Sequence, residues 1–122
     1  MLTLGLTGRI WLCVDPIDGR KSYDGLAGAV TTHLAGDPLS GDLFVFKNRR
    51  GDRLKILAWQ GDGFALYMRR LERGTFQFPK ATAAGVEVSA TDLALILGGI
   101  DLGSAKKRPR YSRPAAGSVN SR

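Results

Sequence analysis

The strongest constraint on the fold is a run of three apolar segments separated by short turns. Gly-Asp pairs lie in both turns, and the segments are DLFVFKN (42–48), RLKILAWQ (53–60) and FALYMRRLE (64–72). Glycine and aspartate tolerate the backbone conformations of tight turns, so the pattern predicts three consecutive antiparallel strands. A two-residue turn at Gly61 and Asp62 would place Trp59 opposite Phe64.

Both faces of this predicted sheet are apolar. In the second strand, Leu57 and Trp59 lie on one face, whereas Leu54 and Ile56 lie on the other. A sheet that is apolar on both faces is normally covered on both. We therefore expect helices or a partner protein on each side, and the sequence leaves open whether two copies of the chain pair there.

The chain before these strands predicts one strand and one helix. Residues 9–15, RIWLCVD, are rich in large and β-branched side chains, which favours a strand that ends at Pro16. Asp18 is placed to cap a helix that continues to Leu34, where apolar residues recur at three- and four-residue spacing.

The chain after these strands predicts further short elements. TFQF (75–78) and VEV (86–88) are candidate strands, and Ser89 and Asp92 have the spacing of a capping box. The helix that follows would end at the glycine pair 98–99. The whole pattern predicts an α+β fold, in which a small antiparallel β-meander sheet of about four to five strands packs with two helices.

Positive charge is concentrated at the C-terminal end. The chain of 122 residues has a formal net charge of +7, and six of its 18 lysines and arginines lie in 104–122, which contains no aspartate or glutamate. That stretch has almost no apolar bulk and should be disordered. We assign 1–103 to a single domain and 104–122 to a disordered basic tail.

The inventory of reactive side chains is small. Cys13 is the single cysteine and His33 the single histidine, which excludes a zinc site built on several such ligands and an intrachain disulfide. The apolar N-terminal stretch is interrupted by Arg9 and is far shorter than a membrane span. We expect a soluble cytoplasmic protein that needs no metal or cofactor and has no membrane partner.

Carboxylates are the remaining route to catalysis. Asp15, Asp18 and Asp24 lie near one another in sequence, and two-metal nucleases use clustered carboxylates. However, Asp18 has a capping role available, and Asp24 lies close to basic residues on the predicted helix. The sequence therefore favours a protein that is not an enzyme.

A second basic set surrounds the central strands. Eight lysines and arginines oppose three acidic residues between positions 47 and 73, with aromatic residues among them. Such residues contact phosphates in nucleic-acid complexes, and they also protect exposed strand edges from aggregation. Both interpretations stay open on composition alone. The candidate binding residues are Arg20, Lys21, Lys47, Arg49, Arg50, Arg53, Lys55, Arg69, Arg70 and Arg73, with Lys106, Lys107, Arg108 and Arg110 in the tail.

Three stretches, read in order, resemble one protein family. They are IDGRKSYDGLAGAV, GDLFVFKNRRGDRLKILAWQGDGFALYMRRLERGTFQFP and DLALILGGID, within residues 9–102. They resemble the accessory proteins, called TnpB, that the sixty-six family of bacterial insertion sequences encodes. Three positions depart from the family pattern, with arginine at 69 in place of lysine, glycine at 98 in place of glutamate and glycine at 19 in place of methionine.

The resemblance implies a non-catalytic accessory protein of transposition. It implies a separate transposase as partner, which this protein would help to assemble on, or to recognise, the terminal inverted repeats of the element. The basic hairpin would then contact DNA or the transposase. There are two alternatives to a DNA-binding accessory protein. One is a pure protein–protein adaptor of the transposase, and the other is a carboxylate-dependent metal nuclease.

Overall fold

A computed structural model describes residues 8–101 and 106–107 of the chain. Its elements in chain order are β1 (Ile10–Cys13), α1 (Tyr23–Leu34), β2 (Leu43–Lys47), β3 (Arg53–Trp59), β4 (Phe64–Arg70), β5 (Gly85–Val88), α2 (Ala90–Gly98), β6 (Ile100–Asp101) and β7 (Lys106–Lys107). The first five strands form one sheet, and β6 pairs with β7 in a separate two-stranded ladder. Apart from 106–107, the predicted tail lies outside the described residues, and its disorder stays a prediction.

The α+β class is confirmed, and so is the predicted register of the central hairpin. β3 and β4 are antiparallel, with Trp59 opposite Phe64 and Lys55 opposite Met68. The turn between them closes through a 2.9 Å hydrogen bond from the Gln60 amide to the Gly63 carbonyl oxygen. The ring centroids of Trp59 and Phe64 are 5.0 Å apart in an edge-to-face contact, which strengthens the pairing at the turn.

The sheet is mixed, which differs from the predicted antiparallel meander. Its strand order is β4-β3-β2-β1-β5, and β1 runs parallel to β2 while every other pair in this sheet is antiparallel. The physical reason is α1, because a helical crossover between β1 and β2 returns the chain to the end of the sheet where it began. The meander prediction holds for β2, β3 and β4.

Both faces of the sheet are covered by helices, as their apolar character predicts. On one face, Leu54 and Ile56 belong to a buried cluster with Leu93 and Ile96 of α2. On the other face, buried apolar side chains of the sheet pack with α1, namely Cys13, Phe44, Phe46 and Leu57 with Leu26, Ala29 and Val30. The sheet is therefore the middle of three layers.

The start of α1 differs from the prediction that Asp18 caps it. The N-cap is Ser22, whose side chain makes no capping hydrogen bond. Asp18 instead accepts hydrogen bonds from the amide of Arg20 at 2.9 Å and from its guanidinium group at 2.8 and 3.1 Å. Asp18 thus shapes the loop before the helix, which competes with capping because both uses need the same carboxylate.

The segment TFQF is not a strand, which corrects a third prediction. Phe76 is fully buried among the side chains on the α2 face, and its amide donates a 2.7 Å hydrogen bond to the carbonyl oxygen of Gly51. Its ring therefore fills the core from irregular backbone. The capping box of α2 is confirmed, since Ser89 accepts from the amide of Asp92 and Asp92 accepts from the amide of Ser89.

Candidate nucleic-acid interface

The turn between β2 and β3 presents two exposed arginines and is held by several hydrogen bonds. Asn48 organises this turn, because its side chain donates to Asp52 at 2.8 Å and accepts from the amide of Arg53 at 3.0 Å. The Asn48 carbonyl oxygen also accepts from the amide of Gly51 at 3.0 Å. Arg49 and Arg50 lie at the tip of the turn and are exposed.

The carboxylate of Asp52 is committed to this turn. The hydrogen bond from the Asn48 side chain is the main reason that the pKa of Asp52 lies below its usual value, and the positive charges of Arg50 and Arg53 lower that pKa further. Asp52 therefore stays ionised and supports the turn.

Arginines also meet across the hairpin, at the end next to this turn. Arg53 of β3 lies directly opposite Arg70 of β4, and both are exposed. Because strand residues alternate between faces, these two share the α1 face of the sheet with Lys55 and Met68. All four line a surface cavity of about 460 Å³, which is also lined by Gly19, Leu54, Arg69 and Glu72.

Lys55 serves the fold at this site. Its ammonium group donates 2.6 Å hydrogen bonds to the carbonyl oxygens of Gly19 and Lys21, in the loop before α1. Burial lowers the pKa of Lys55, and the neighbouring charge of Arg53 lowers it further. Lys55 thus fixes the loop against the sheet while it adds one positive charge to the cavity wall.

The loop before α1 brings a further arginine to the same end of the sheet. Arg20 forms an ion pair with Asp18 at 2.8 Å, and that hydrogen-bonded pair holds the pKa of the Asp18 carboxyl well below its usual range. A second cavity of about 410 Å³ is lined by Asp18, Asn48, Arg49 and Arg50. Gly19 lines both cavities and so lies where they adjoin.

Two predicted binding residues lie on the α2 face instead. The ammonium nitrogen of Lys47 lies 4.7 Å from the ring centroid of Phe78, and burial lowers the pKa of Lys47. Arg69 donates a 3.2 Å hydrogen bond to the carbonyl oxygen of Leu97 near the end of α2. The structure therefore divides the predicted basic set between the two faces.

The remaining predicted residues fall into three groups. Lys21 and Arg73 are exposed. Only the backbone of Lys106 and Lys107 is described, within β7, and Arg108 and Arg110 lie outside the described residues.

Five of the predicted arginines lie at the end of the sheet next to the β2–β3 turn. We call this set the basic hairpin end, and it consists of Arg20, Arg49, Arg50, Arg53 and Arg70.

Sequence reasoning missed two residues of this surface. Gly19 carries the carbonyl oxygen that anchors Lys55, and Met68 is 62% exposed in the wall of the larger cavity. The predicted hairpin register does place Met68 opposite Lys55, but on a face that was expected to meet the core and not on an exposed surface. No local signal identifies Gly19, because its partner is 36 residues away.

The described residues hold no group of three or more histidine, cysteine and acidic side chains that could bind a metal ion. The three carboxylates considered for a nuclease thus form no such cluster, and Asp18 is paired with Arg20. His33 is exposed in the last turn of α1. Within the described part of the chain, every helix is too short or too polar to cross a membrane.

Comparisons with known proteins identify relatives along most of the chain. Two similar proteins of Sinorhizobium fredii are the uncharacterized proteins y4jC and y4hO, which are 36% and 38% identical over 101 residues. Each alignment covers 83% of this chain, and the alignments cover 86% of the length of y4jC and 88% of the length of y4hO. No solved structure gives a significant match. The family described as IS66 Orf2 like protein matches residues 8–107, so the chain belongs to this family of accessory proteins of insertion-sequence transposition.

Proposed function

We propose that this protein binds the DNA at the ends of its insertion sequence through the basic hairpin end, and that it helps a separate transposase to act there without catalysing a step itself. The observation that carries the proposal is the convergence of five arginines from three segments, the loop before α1, the β2–β3 turn and the β3–β4 hairpin, at one end of the sheet. On DNA, the anions that a cluster of arginines binds are the backbone phosphate groups.

The charges nearby support an anionic partner. Within residues 8–99, Asp18 pairs with Arg20 and Glu72 pairs with Arg70, whereas no carboxylate lies within ion-pair distance of Arg49, Arg50 or Arg53. Three exposed guanidinium groups therefore keep their hydrogen-bond donors available to a ligand. Each of them can donate two parallel hydrogen bonds to a phosphate.

The tail has a separate part in the proposal. Residues 1–103 would form the domain that sets the register of the protein on DNA. The six basic residues within 104–122 would add attraction that does not depend on sequence and that weakens as salt displaces them from the phosphates.

The test is fluorescence anisotropy of the full-length protein with labelled terminal-repeat DNA and with a scrambled duplex, across a salt series. Replacing both Arg49 and Arg50 with glutamine should weaken binding to the terminal repeat and lower the slope of log K against log salt by about 0.9 for each phosphate that the variant no longer neutralises. A variant with Lys106, Lys107, Arg108 and Arg110 replaced by glutamine should lose affinity equally for both duplexes.

A matched control removes two exposed charges that are not part of the basic hairpin end. Arg9 and Lys80 are exposed, and Arg9 precedes β1 at the opposite end of the sheet. The Arg9→Gln/Lys80→Gln variant should bind both duplexes almost as the unmodified protein does. Equal losses from the two double variants would show that net charge alone drives binding.

A second candidate function is that of a protein adaptor that binds the transposase and does not touch DNA. Exposed Met68 favours it, because an apolar side chain in the wall of a cavity suits a protein partner better than a phosphate. The adaptor would give a stable complex with purified transposase at high salt, no binding to terminal-repeat DNA, and a loss of that complex on Met68→Glu substitution.

A further inference from the structure

Arg53 and Arg70 form an unfavourable pair in the protein alone. They lie directly opposite each other in the β3–β4 ladder, and like charges in that position destabilise a sheet. Lys55 adds a third positive charge two residues along the same face of β3, and its pKa is lowered by burial and then by Arg53. A bound anion between the two guanidinium groups would reverse this repulsion.

We propose that Arg53 and Arg70 together hold a single phosphate group of the DNA backbone, an inference that rests on the proposed function. The two side chains start from facing positions on neighbouring strands and line one cavity of about 460 Å³, which can accommodate a phosphate. Their planar groups match the oxygen atoms of a phosphate, which can accept a pair of hydrogen bonds from each.

The surroundings of the pair are suited to this role. Lys55 is held by two backbone carbonyl oxygens, so its charge is fixed beside the site instead of moving with a long flexible side chain. Gly19 packs beside the pair, since a Cβ atom there would be in ordinary van der Waals contact with Cδ of Arg53 at 3.9 Å. β4 is the edge strand of the sheet, which leaves this side of the hairpin accessible to a duplex.

Glu72 competes for the same site. Its carboxylate lies 3.3 Å from the guanidinium group of Arg70, and the two side chains are 61% and 60% exposed. An ion pair as exposed as this contributes little free energy and exchanges readily. A DNA phosphate that also contacts Arg53 would therefore displace Glu72 from Arg70, and removing the carboxylate should tighten phosphate binding.

The first measurement counts phosphates in the full-length protein. One phosphate shared by both arginines predicts that the double variant Arg53→Gln/Arg70→Gln lowers the salt slope of DNA binding by about 0.9, whereas two separate phosphates predict about 1.8. Shared binding also predicts non-additive losses of binding free energy. The loss in the double variant should be clearly smaller than the sum of the losses in Arg53→Gln and in Arg70→Gln. A slope change near 1.8 with additive losses would overturn the shared site.

The second measurement uses inorganic phosphate without DNA and follows backbone amide resonances by NMR. Saturable shifts should appear at Arg53, Met68 and Arg70, disappear in the double variant, persist in Arg49→Gln/Arg50→Gln, and saturate at lower phosphate concentration in Glu72→Gln. Shifts that do not saturate, or that are unchanged in the double variant, would overturn the inference.

The two measurements separate this inference from the proposed function. DNA binding that survives in the double variant with an unchanged slope, alongside a loss of affinity in Arg49→Gln/Arg50→Gln, would overturn the shared phosphate site and leave the proposed function standing. Saturable phosphate binding at the arginine pair in a protein that does not bind DNA would overturn the proposed function, and with it DNA as the source of the phosphate.

Discussion

The ammonium group of Lys55 donates a 2.6 Å hydrogen bond to the carbonyl oxygen of Gly19, which ties the middle of β3 to the loop before α1. A second bond of the same length reaches the carbonyl oxygen of Lys21. This loop crosses the end of the sheet next to the β2–β3 turn, so one lysine holds together two of the segments that make up the basic hairpin end.

Replacing Lys55 with methionine should lower the free energy of unfolding by about 1–3 kcal/mol, because two carbonyl oxygens lose their donor. Urea unfolding followed by circular dichroism measures this change. Lys80→Met is the control, since Lys80 is exposed and should change stability by no more than about 0.5 kcal/mol. Equal effects from both substitutions would show that the Lys55 hydrogen bonds do not stabilise the fold.

The two helices have serine as the N-cap residue, Ser22 for α1 and Ser89 for α2, but only one of these side chains makes a capping hydrogen bond. Ser89 accepts a hydrogen bond from the amide of Asp92 at 3.0 Å, whereas the Ser22 side chain makes no capping bond. Ser89→Ala should therefore cost about 0.5–2 kcal/mol of stability and Ser22→Ala much less. Thermal unfolding of the two variants in parallel tests the difference, and a larger loss for Ser22→Ala would contradict it.

Two glycines should respond to alanine in opposite ways. Gly51 has a φ of 79°, and a Cβ atom there would lie 3.2 Å from Cβ of Thr75, so Gly51→Ala should destabilise the protein by about 1–2 kcal/mol. Gly28 lies within α1 with no atom within 4 Å of the added methyl group. Gly28→Ala should stabilise the protein by about 0.4–1 kcal/mol. Chemical denaturation of both variants checks the two signs.

Acid should destabilise the protein through Asp52 and Asp18. The pKa of each carboxyl is lowered in the folded protein, so its contribution to stability is complete above the unfolded pKa of about 3.9 and is lost as pH falls through the folded pKa. Urea unfolding at about pH 6 and about pH 3 should show a smaller pH-dependent loss for Asp52→Asn than for the unmodified protein. Identical losses would exclude Asp52 as a contributor.

Local chemistry made much of the fold predictable. The Gly-Asp turn fixed the pairing of Trp59 with Phe64, and the spacing of Ser89 and Asp92 identified the start of α2. These signals succeed because the interacting groups are close in sequence. The start of α1 was less predictable, because Asp18 and Ser22 are both residue types that cap helices, and the choice between them depends on the ion pair that Asp18 makes with Arg20.

Contacts between distant segments could not be predicted. Pairing of β1 with β2 in parallel depends on where α1 packs, and Phe76 looks like a strand residue although the core accepts it from irregular backbone. At the candidate site, the sequence indicated every arginine of the basic hairpin end. It could not show that Lys47 lies against Phe78 or that Lys55 bonds to the loop before α1, because both contacts require the assembled sheet.

The position of β1 between β2 and β5 sets an order on folding during synthesis. β3 and β4 are joined by a short turn and can pair as soon as both have left the ribosome, since local contacts cost little loop-closure entropy. β1 is made first, yet its second neighbour ends at Val88. Until that residue emerges, one edge of the apolar strand β1 has no hydrogen-bonded neighbour in the growing chain. An arrest in translation before β5 should therefore leave a nascent polypeptide that chaperones bind.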